Sequence, residues 1–151
     1  MISFFKKYKS LKKKNFKQLL KTVLTANATS HKLAMGLAVG VFFSILPTFG
    51  VGMIISLLLA WYKKWNVIST YFGTLITNPF NATFIYFFDY KLGNWIINGN
   101  QTGFLTVSWQ SLKDIALELY LGGFILACFC SIVLYFLLYG IAEKYKQNRA
   151  K

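Results

Sequence analysis

The sequence predicts an all-α integral membrane protein with two proline-broken apolar segments, re-entrant or built of half-helices, and one unbroken C-terminal transmembrane helix. Three charge-free runs indicate this class: Leu33 to Tyr62, Trp65 to Phe88 and Leu119 to Ala142. Hydrophobic residues make up 56% of the chain, above the usual share in soluble domains. About twenty apolar residues cross a hydrocarbon core of roughly 30 Å, so each run is long enough to reach across a bilayer.

An amphipathic N-terminal helix is predicted to precede the first run. Between Asn15 and Leu24, apolar and lysine side chains separate onto two faces with a 3.6-residue period. Such a helix lies in the membrane interface, where lysines meet anionic headgroups, or it packs its apolar face on the protein. We therefore expect a basic interfacial arm over 1–28, one helical membrane domain over 29–147 and a basic tail over 148–151.

The net charge of +13 comes mostly from lysines that flank the apolar runs. Positive residues favour the cytoplasmic side, which predicts a multi-pass protein with both termini and the Lys63–Lys64 loop in the cytoplasm. The first run then enters and returns as a re-entrant hairpin, and the polar stretch 98–103 is external. Nucleic acid is not an expected partner, because Arg149 is the only arginine and the lysines follow the membrane segments.

The first run contains a predicted helix break at Pro47. A straight helix from Leu33 to Tyr62 would be about 45 Å long, too long for one plain crossing. Proline removes a backbone donor and clashes with the preceding turn. After it, Thr48, Gly50 and Gly52 leave backbone amides accessible at the start of a second half-helix.

The second predicted break is the Asn78-Pro79 pair. Asparagine is a preferred N-cap and proline a preferred first helical residue, so the pair predicts a half-helix that begins here. The N-terminal ends of two half-helices, if they converge, form an electropositive pocket for a phosphate or carboxylate. The side chains expected to bind the anion there are Thr74, Thr77, Asn78 and Asn81. The alternative is that these groups only satisfy the broken backbone.

The helix within the first run carries a strip of small residues. Gly36, Gly40 and Ser44 are spaced one turn apart, and Gly73 precedes the second break. Such strips let helices approach closely in lipid, so these residues are assigned to helix packing. Ser30 is expected to cap the helix that opens at His31 and Lys32, and these two are expected to contact a lipid phosphate at the interface.

The few acidic residues and the two cysteines show no pattern typical of a catalytic or metal site. Asp89 is expected to pair with Lys91 or Lys63, with proton coupling as the alternative. A short amphipathic helix is predicted from Leu105 to Leu117, ahead of the last run. Cys128 and Cys130 point about 200° apart on a helix, which excludes a mutual disulfide or a shared metal. No metal and no other cofactor is expected.

The motifs taken together resemble a known family. These are Gly36-x-x-x-Gly40, Pro47-x-x-Gly50 and Gly73-Thr74-x-Ile76-x-Asn78-Pro79-x-Asn81. The combination resembles domain-of-unknown-function family twenty sixty-two, which comprises small prokaryotic membrane proteins. The likeness covers about Asn15 to Ala142 and implies a helical protein of the bacterial inner (cytoplasmic) membrane. Family members often have a proline just before the helix that opens at His31, where this chain has Ser30.

Some members of that family are joined to a family-two glycosyltransferase, which implies a link to lipid-linked sugar or cell-envelope metabolism. This chain has no Asp-x-Asp motif, nucleophile elbow or phosphate-binding glycine loop, so we do not expect an enzyme. The leading hypothesis is a non-catalytic binder or flippase-like handler of an anionic envelope lipid, such as a phospholipid or polyprenyl phosphate. The alternatives are an accessory or scaffold subunit of an envelope enzyme and a small-solute transporter. A homo-oligomer or an envelope enzyme is a possible partner.

Overall fold

The computed structural model describes residues 28–48, 50–78, 80–99 and 109–150, and within these ranges the regular structure is entirely helical. The helices are, in chain order, α1 Ser30–Ile45, α2 Val51–Tyr62, α3 Val67–Thr74, α4 Ala82–Asn98 and α5 Trp109–Ala150. The predicted all-helical class is confirmed. The basic arm up to residue 27, Pro79 and most of the stretch 98–103 lie outside the described residues.

Helix α1 is capped by Thr29, and the prediction of Ser30 as the cap is wrong. The Thr29 hydroxyl accepts a hydrogen bond from the Lys32 amide at 3.3 Å. Ser30 is already the first helical residue and is buried. Thr29 has the extended backbone conformation that an N-cap residue adopts, with a ψ of 153°, whereas Ser30 is already helical.

Helices α1 and α2 meet at a tight connection that contains Pro47. Leu46, which follows α1, has an extended ψ of 133°, the conformation that a following proline favours. The Pro47 side chain is fully buried. Gly50 then adopts a left-handed φ of 90° immediately before α2, a conformation that glycine accepts without steric cost.

Helix α2 returns along α1 as an antiparallel hairpin. Its buried residues are all small and are spaced one turn apart: Gly52, Ser56 and Ala60. A Cβ on Gly52 would collide with the Phe43 carbonyl oxygen of α1, so the two backbones are in close contact near the tip. After α2, the Asn66 amide donates to the Lys32 carbonyl at 3.1 Å. The two ends of the hairpin therefore lie side by side.

Helix α3 packs closely on α1 through glycine. A Cβ on Gly73 would lie 2.8 Å from the Val41 amide nitrogen, and one on Gly36 would collide with the Asn66 carbonyl. The Ser69 hydroxyl donates to the Leu33 carbonyl at 2.6 Å, which adds a buried interhelical hydrogen bond. Because Asn66 lies near the start of α1 and Gly73 near its middle, α3 runs in the same direction as α1.

Helix α5 is the long element on which α1 and α4 pack. Leu138 and Ala142 form a buried cluster with Leu33 and Ala34 at the start of α1. A second cluster joins Ala127 to the end of α1, through Val41 and Ile45. The order of these contacts makes α1 and α5 antiparallel. Near the C-terminal end, Lys146 Nζ donates to the Ala28 carbonyl oxygen.

The prediction of a separate short helix from Leu105 to Leu117 is wrong. Residues from Trp109 onward belong to one helix of 42 residues. Gly122 lies where α4 crosses, and a Cβ there would collide with the Asp89 carbonyl oxygen. Close packing against α4 thus offsets the low helix propensity of glycine. The Lys113–Asn148 part of α5 is long and apolar enough to cross a membrane.

The outer surface of α2, α4 and α5 is covered by large apolar side chains. Among the most exposed, with more than half of the residue accessible, are Ile54, Leu58, Trp61, Phe80, Phe84, Phe88, Phe124, Phe129, Ile132 and Phe136. Scattered apolar residues are ordinary on protein surfaces, but continuous apolar faces on successive helices require an apolar medium or a partner.

Candidate functional site

The polar groups at the first connection bind their own backbone. Thr48 Oγ1 donates to the Phe43 carbonyl at 3.3 Å and accepts from the Gly52 amide at 3.1 Å. The hydroxyl thus caps the first turn of α2 and closes the tip onto the last turn of α1. Gly50 provides the left-handed turn between them. The Gly52 amide, predicted to be available to an anion, already has this partner.

The second connection contains a closed asparagine network. Asn78 Oδ1 accepts from the Phe80 amide at 2.9 Å and from the Asn81 amide at 3.2 Å. Asn81 Oδ1 accepts from the Asn78 amide at 2.7 Å, and Asn81 Nδ2 donates to the Ile76 carbonyl at 2.7 Å. Asn78 thus makes the side-chain hydrogen bonds expected of a helix cap, although the regular part of α4 begins later, at Ala82, where Asn81 makes no side-chain cap bond.

The two threonines before this connection differ in their surroundings. Thr74 is buried, and its hydroxyl donates to the Tyr71 carbonyl one turn earlier at 2.7 Å. Thr77 Oγ1 is buried and has no hydrogen-bond partner among the described residues. Each hydrogen bond made by Thr48, Thr74, Asn78 and Asn81 ends within five residues of its origin. This local pattern favours backbone satisfaction over a shared anion pocket.

The small-residue strip lies partly at the contact between α1 and α3. A Cβ on Gly40 would lie 2.9 Å from Gly73 Cα and would collide with the Thr70 carbonyl. Gly36 also faces this contact, next to Asn66. The Ser44 hydroxyl instead donates to the Val41 carbonyl of its own helix at 2.9 Å.

An aromatic and basic groove lies at the open end of the α1–α2 hairpin. It has a volume of about 470 Å³ and is lined by Trp61, Tyr62, Lys64, Trp65 and Val67. Lys64 adopts a left-handed φ of 55°, which forms the turn between α2 and α3. We refer to these five residues as the base groove. None of these five residues was among the site residues predicted from the sequence, although aromatic residues beside lysines at the end of an apolar run are a recognisable pattern.

His31 and Lys32 lie near this end of the hairpin. His31 Nδ1 is 2.9 Å from the Tyr135 hydroxyl, and the two rings meet edge to face. Lys32 is exposed, and its carbonyl accepts from the Asn66 amide directly after the groove residue Trp65. Both residues are therefore close in the fold to the base groove, with His31 also joined to α5.

The expected ion pair of Asp89 is corrected by the structure. Asp89 is fully buried, and neither carboxylate oxygen has a hydrogen-bond partner among the described residues. Lys91 Nζ lies over the Phe87 ring instead, 5.2 Å from its centroid. The helix places Lys91 two positions beyond Asp89, on a different face. Among the described residues, no group of three or more His, Cys, Asp or Glu is arranged to hold a metal ion.

Comparison with known proteins gives one match. The model of a family described as "Uncharacterized protein conserved in bacteria (DUF2062)" matches residues 13–151. No curated protein and no solved structure matches the chain.

Proposed function

The chain belongs to the DUF2062 family of bacterial proteins, and from that premise we propose a non-catalytic protein of the cytoplasmic membrane that binds an anionic envelope lipid. The lipid phosphate binds in the base groove, beside the lysines of the α2–α3 turn. This location differs from the pocket at the helix breaks that the sequence suggested. The reason is that Thr48, Asn78 and Asn81 at the breaks are engaged with nearby backbone groups.

The apolar exterior supports membrane insertion. Phe124, Phe129 and Phe136 are spread along α5, and each is more than half exposed. Exposure of so many aromatic rings to water would strongly favour aggregation, whereas a bilayer accepts them. The charge-free part of α5, from Leu119 to Ala142, is about 36 Å long, which fits a tilted crossing of the roughly 30 Å core.

The helix lengths support the hairpin topology. Helices α1 and α2, of 16 and 12 residues, are about 24 and 18 Å long, less than a full crossing. Their outer ends meet at the bond between Asn66 and Lys32. Lys146 near the end of α5 contacts Ala28 at the same end of the molecule. Both flanks of the domain and the Lys63–Lys64 turn thus lie at one end, which the excess of lysine assigns to the cytoplasm.

The observation that carries the lipid proposal is the composition of the base groove. Trp61, Tyr62 and Trp65 are amphipathic rings of the kind that occupy the headgroup layer, and Lys64 adds a positive charge to the same groove. Lys63 lies beside it, with Nζ 5.8 Å from the Tyr62 ring centroid. Near an anionic leaflet each lysine contributes on the order of 1 kcal/mol, so the site favours lipids with a net negative charge over zwitterionic ones.

The test is the lipid selectivity of Lys64→Asn. Asparagine tolerates the left-handed backbone, so the turn survives while the charge is lost. In nanodiscs of equal phosphatidylglycerol and phosphatidylcholine, native mass spectrometry of the released protein measures the ratio of the two lipids retained. We expect a lower anionic fraction for Lys64→Asn than for the native protein. Lys91→Asn, in α4 and outside the base groove, is the matched control and should retain the native ratio.

A scaffold function is the second candidate. Trp95 and Leu117 are each more than 60% exposed on the parts of α4 and α5 farthest from the hairpin base. An apolar surface there is available to a partner protein such as an envelope enzyme. An unchanged lipid ratio in Lys64→Asn, with an intact fold, would contradict the lipid proposal and favour this candidate.

A further inference from the structure

Asp89 occupies an unusual position in the structure. It lies in the middle of α4, where α4 crosses α5 next to the tip of the hairpin. A Cβ on Gly123 would lie 3.2 Å from Asp89 Oδ2 and 3.1 Å from Pro47 Cδ. Three groups therefore meet at one point in the protein interior: the Asp89 carboxylate, Gly123 of α5 and Pro47 of the hairpin tip. Asp89 is 0% exposed, so this point is shielded from the surface.

The groups around the carboxylate do not neutralise it. Tyr86 of α4 and Cys130 of α5 are the titratable side chains close enough to interact with it. The hairpin tip contributes Pro47 and no titratable group. Glu118 lies farther along α5, where it accepts a hydrogen bond from Asn98 Nδ2 at 2.6 Å. No cationic side chain in the described part of the chain is paired with Asp89.

Helix α1 makes a bare carboxylate at this point still less favourable. Its C-terminal end, at Ile45, precedes Pro47, and the end of a helix carries about half a negative charge. A buried, unpaired anion is costly and persists only when a counter-charge or a proton compensates it. In transporters with broken helices, the C-terminal ends of half-helices coordinate Na⁺ or a proton.

We propose that Asp89 binds a small monovalent cation, a proton or Na⁺, between the hairpin tip and the crossing of α4 with α5. Because Gly123 has no side chain, α5 packs directly against Oδ2 and Pro47, and Pro47 follows the end of α1. The inference rests on the membrane placement proposed above, but it is independent of lipid binding in the base groove. A cation bound at this point contacts the hairpin tip, α4 and α5 together. Cation occupancy should therefore stabilise the whole domain.

The experiment is thermal unfolding of the full chain in detergent, for the native protein and Asp89→Asn. One series raises NaCl at constant ionic strength, with choline chloride as the balance; a second lowers the pH in choline chloride. We expect the unfolding midpoint of the native protein to rise in at least one series. Asp89→Asn, which is neutral and of similar size, should lose that response. A response to NaCl identifies Na⁺, and a response to acid alone identifies the proton.

Two results would overturn the proposal. The first is a parallel response of the native protein and Asp89→Asn, which would assign the effect to other groups such as Glu118. The second is a midpoint of the native protein that responds neither to NaCl nor to pH, which would mean that no cation binds at Asp89 over the range tested. The lipid ratio of Asp89→Asn should stay native, and Lys64→Asn should keep the cation response. The two proposals can therefore fail separately.

Gly123→Ala tests the site without removing the carboxylate. Its methyl group would crowd both Oδ2 and Pro47, so the cation response should be weakened. Gly140→Ala on the same helix is the control, because a Cβ there meets nothing within 4 Å. An equal cation response in both alanine variants and the native protein would contradict the site, even if Asp89→Asn could not be purified.

Discussion

Gly40 of α1 and Gly73 of α3 bring two helix backbones into direct contact: a Cβ on Gly40 would lie 2.9 Å from Gly73 Cα. The same Cβ would collide with the Thr70 carbonyl oxygen. Backbone atoms cannot move aside as a flexible side chain can. The half-helix α3 is only eight residues long, so its position depends on this contact more than on its own helical stability.

The first prediction concerns this contact. Gly40→Ala should lower the free energy of unfolding by about 1–3 kcal/mol, the usual cost of overpacking, despite the better helix propensity of alanine. Gly40→Leu should be more destabilising still. Thermal unfolding in detergent measures both. Gly140→Ala, in open space on α5, should be neutral or slightly stabilising, and an unchanged midpoint for Gly40→Leu would show that α1 and α3 are not in contact.

The second prediction concerns topology. In a background of Cys128→Ser and Cys130→Ser, a cysteine at position 64 should not react with a membrane-impermeant thiol reagent in intact cells. A cysteine at position 101, between α4 and α5, should react. Both should react after the cells are permeabilised. Labelling at position 64 from outside would contradict the hairpin, because the positive turn would then lie across the membrane from the basic termini.

The third prediction separates the two possible locations of an anion site. Asn78 Oδ1 accepts two backbone hydrogen bonds in the turn before α4. Asn78→Leu should therefore cost about 1 kcal/mol of stability, as the loss of a cap does. With the lipid bound in the base groove, the ratio of anionic to neutral lipid should not change. A selective loss of anionic lipid would instead support a pocket formed by the two helix starts.

Several features follow from local sequence and were predictable. The charge-free runs favour helices, because in an apolar medium a helix satisfies its internal backbone hydrogen bonds without water. Pro47 divides the first run because its ring restricts Leu46 to an extended conformation and clashes with a continuing helix. In each case the deciding interaction is between neighbours in sequence, so no tertiary contact is needed to predict it.

Other features of the fold depend on tertiary contacts and turn geometry. Asn78 and Asn81 were candidates for ligand binding by residue type, but the turn geometry directs their side chains to nearby backbone groups. The predicted ion pair of Asp89 failed because helical spacing places Lys91 on another face, over Phe87. Trp61 and Trp65 form one groove only because the turn at Lys64 brings the end of α2 next to the start of α3.

The sequence by itself therefore determined the helical class, the division of the first run and the basic ends, since these depend on composition, backbone sterics and charge within a few residues. Only the tertiary structure decided that Gly40 meets Gly73, that α5 continues unbroken through Gly122, and that Asp89 is buried beside the hairpin tip. These contacts join residues far apart in the chain. Their energies depend on distances of a few ångströms between helices, and a residue pattern along one helix does not specify those distances.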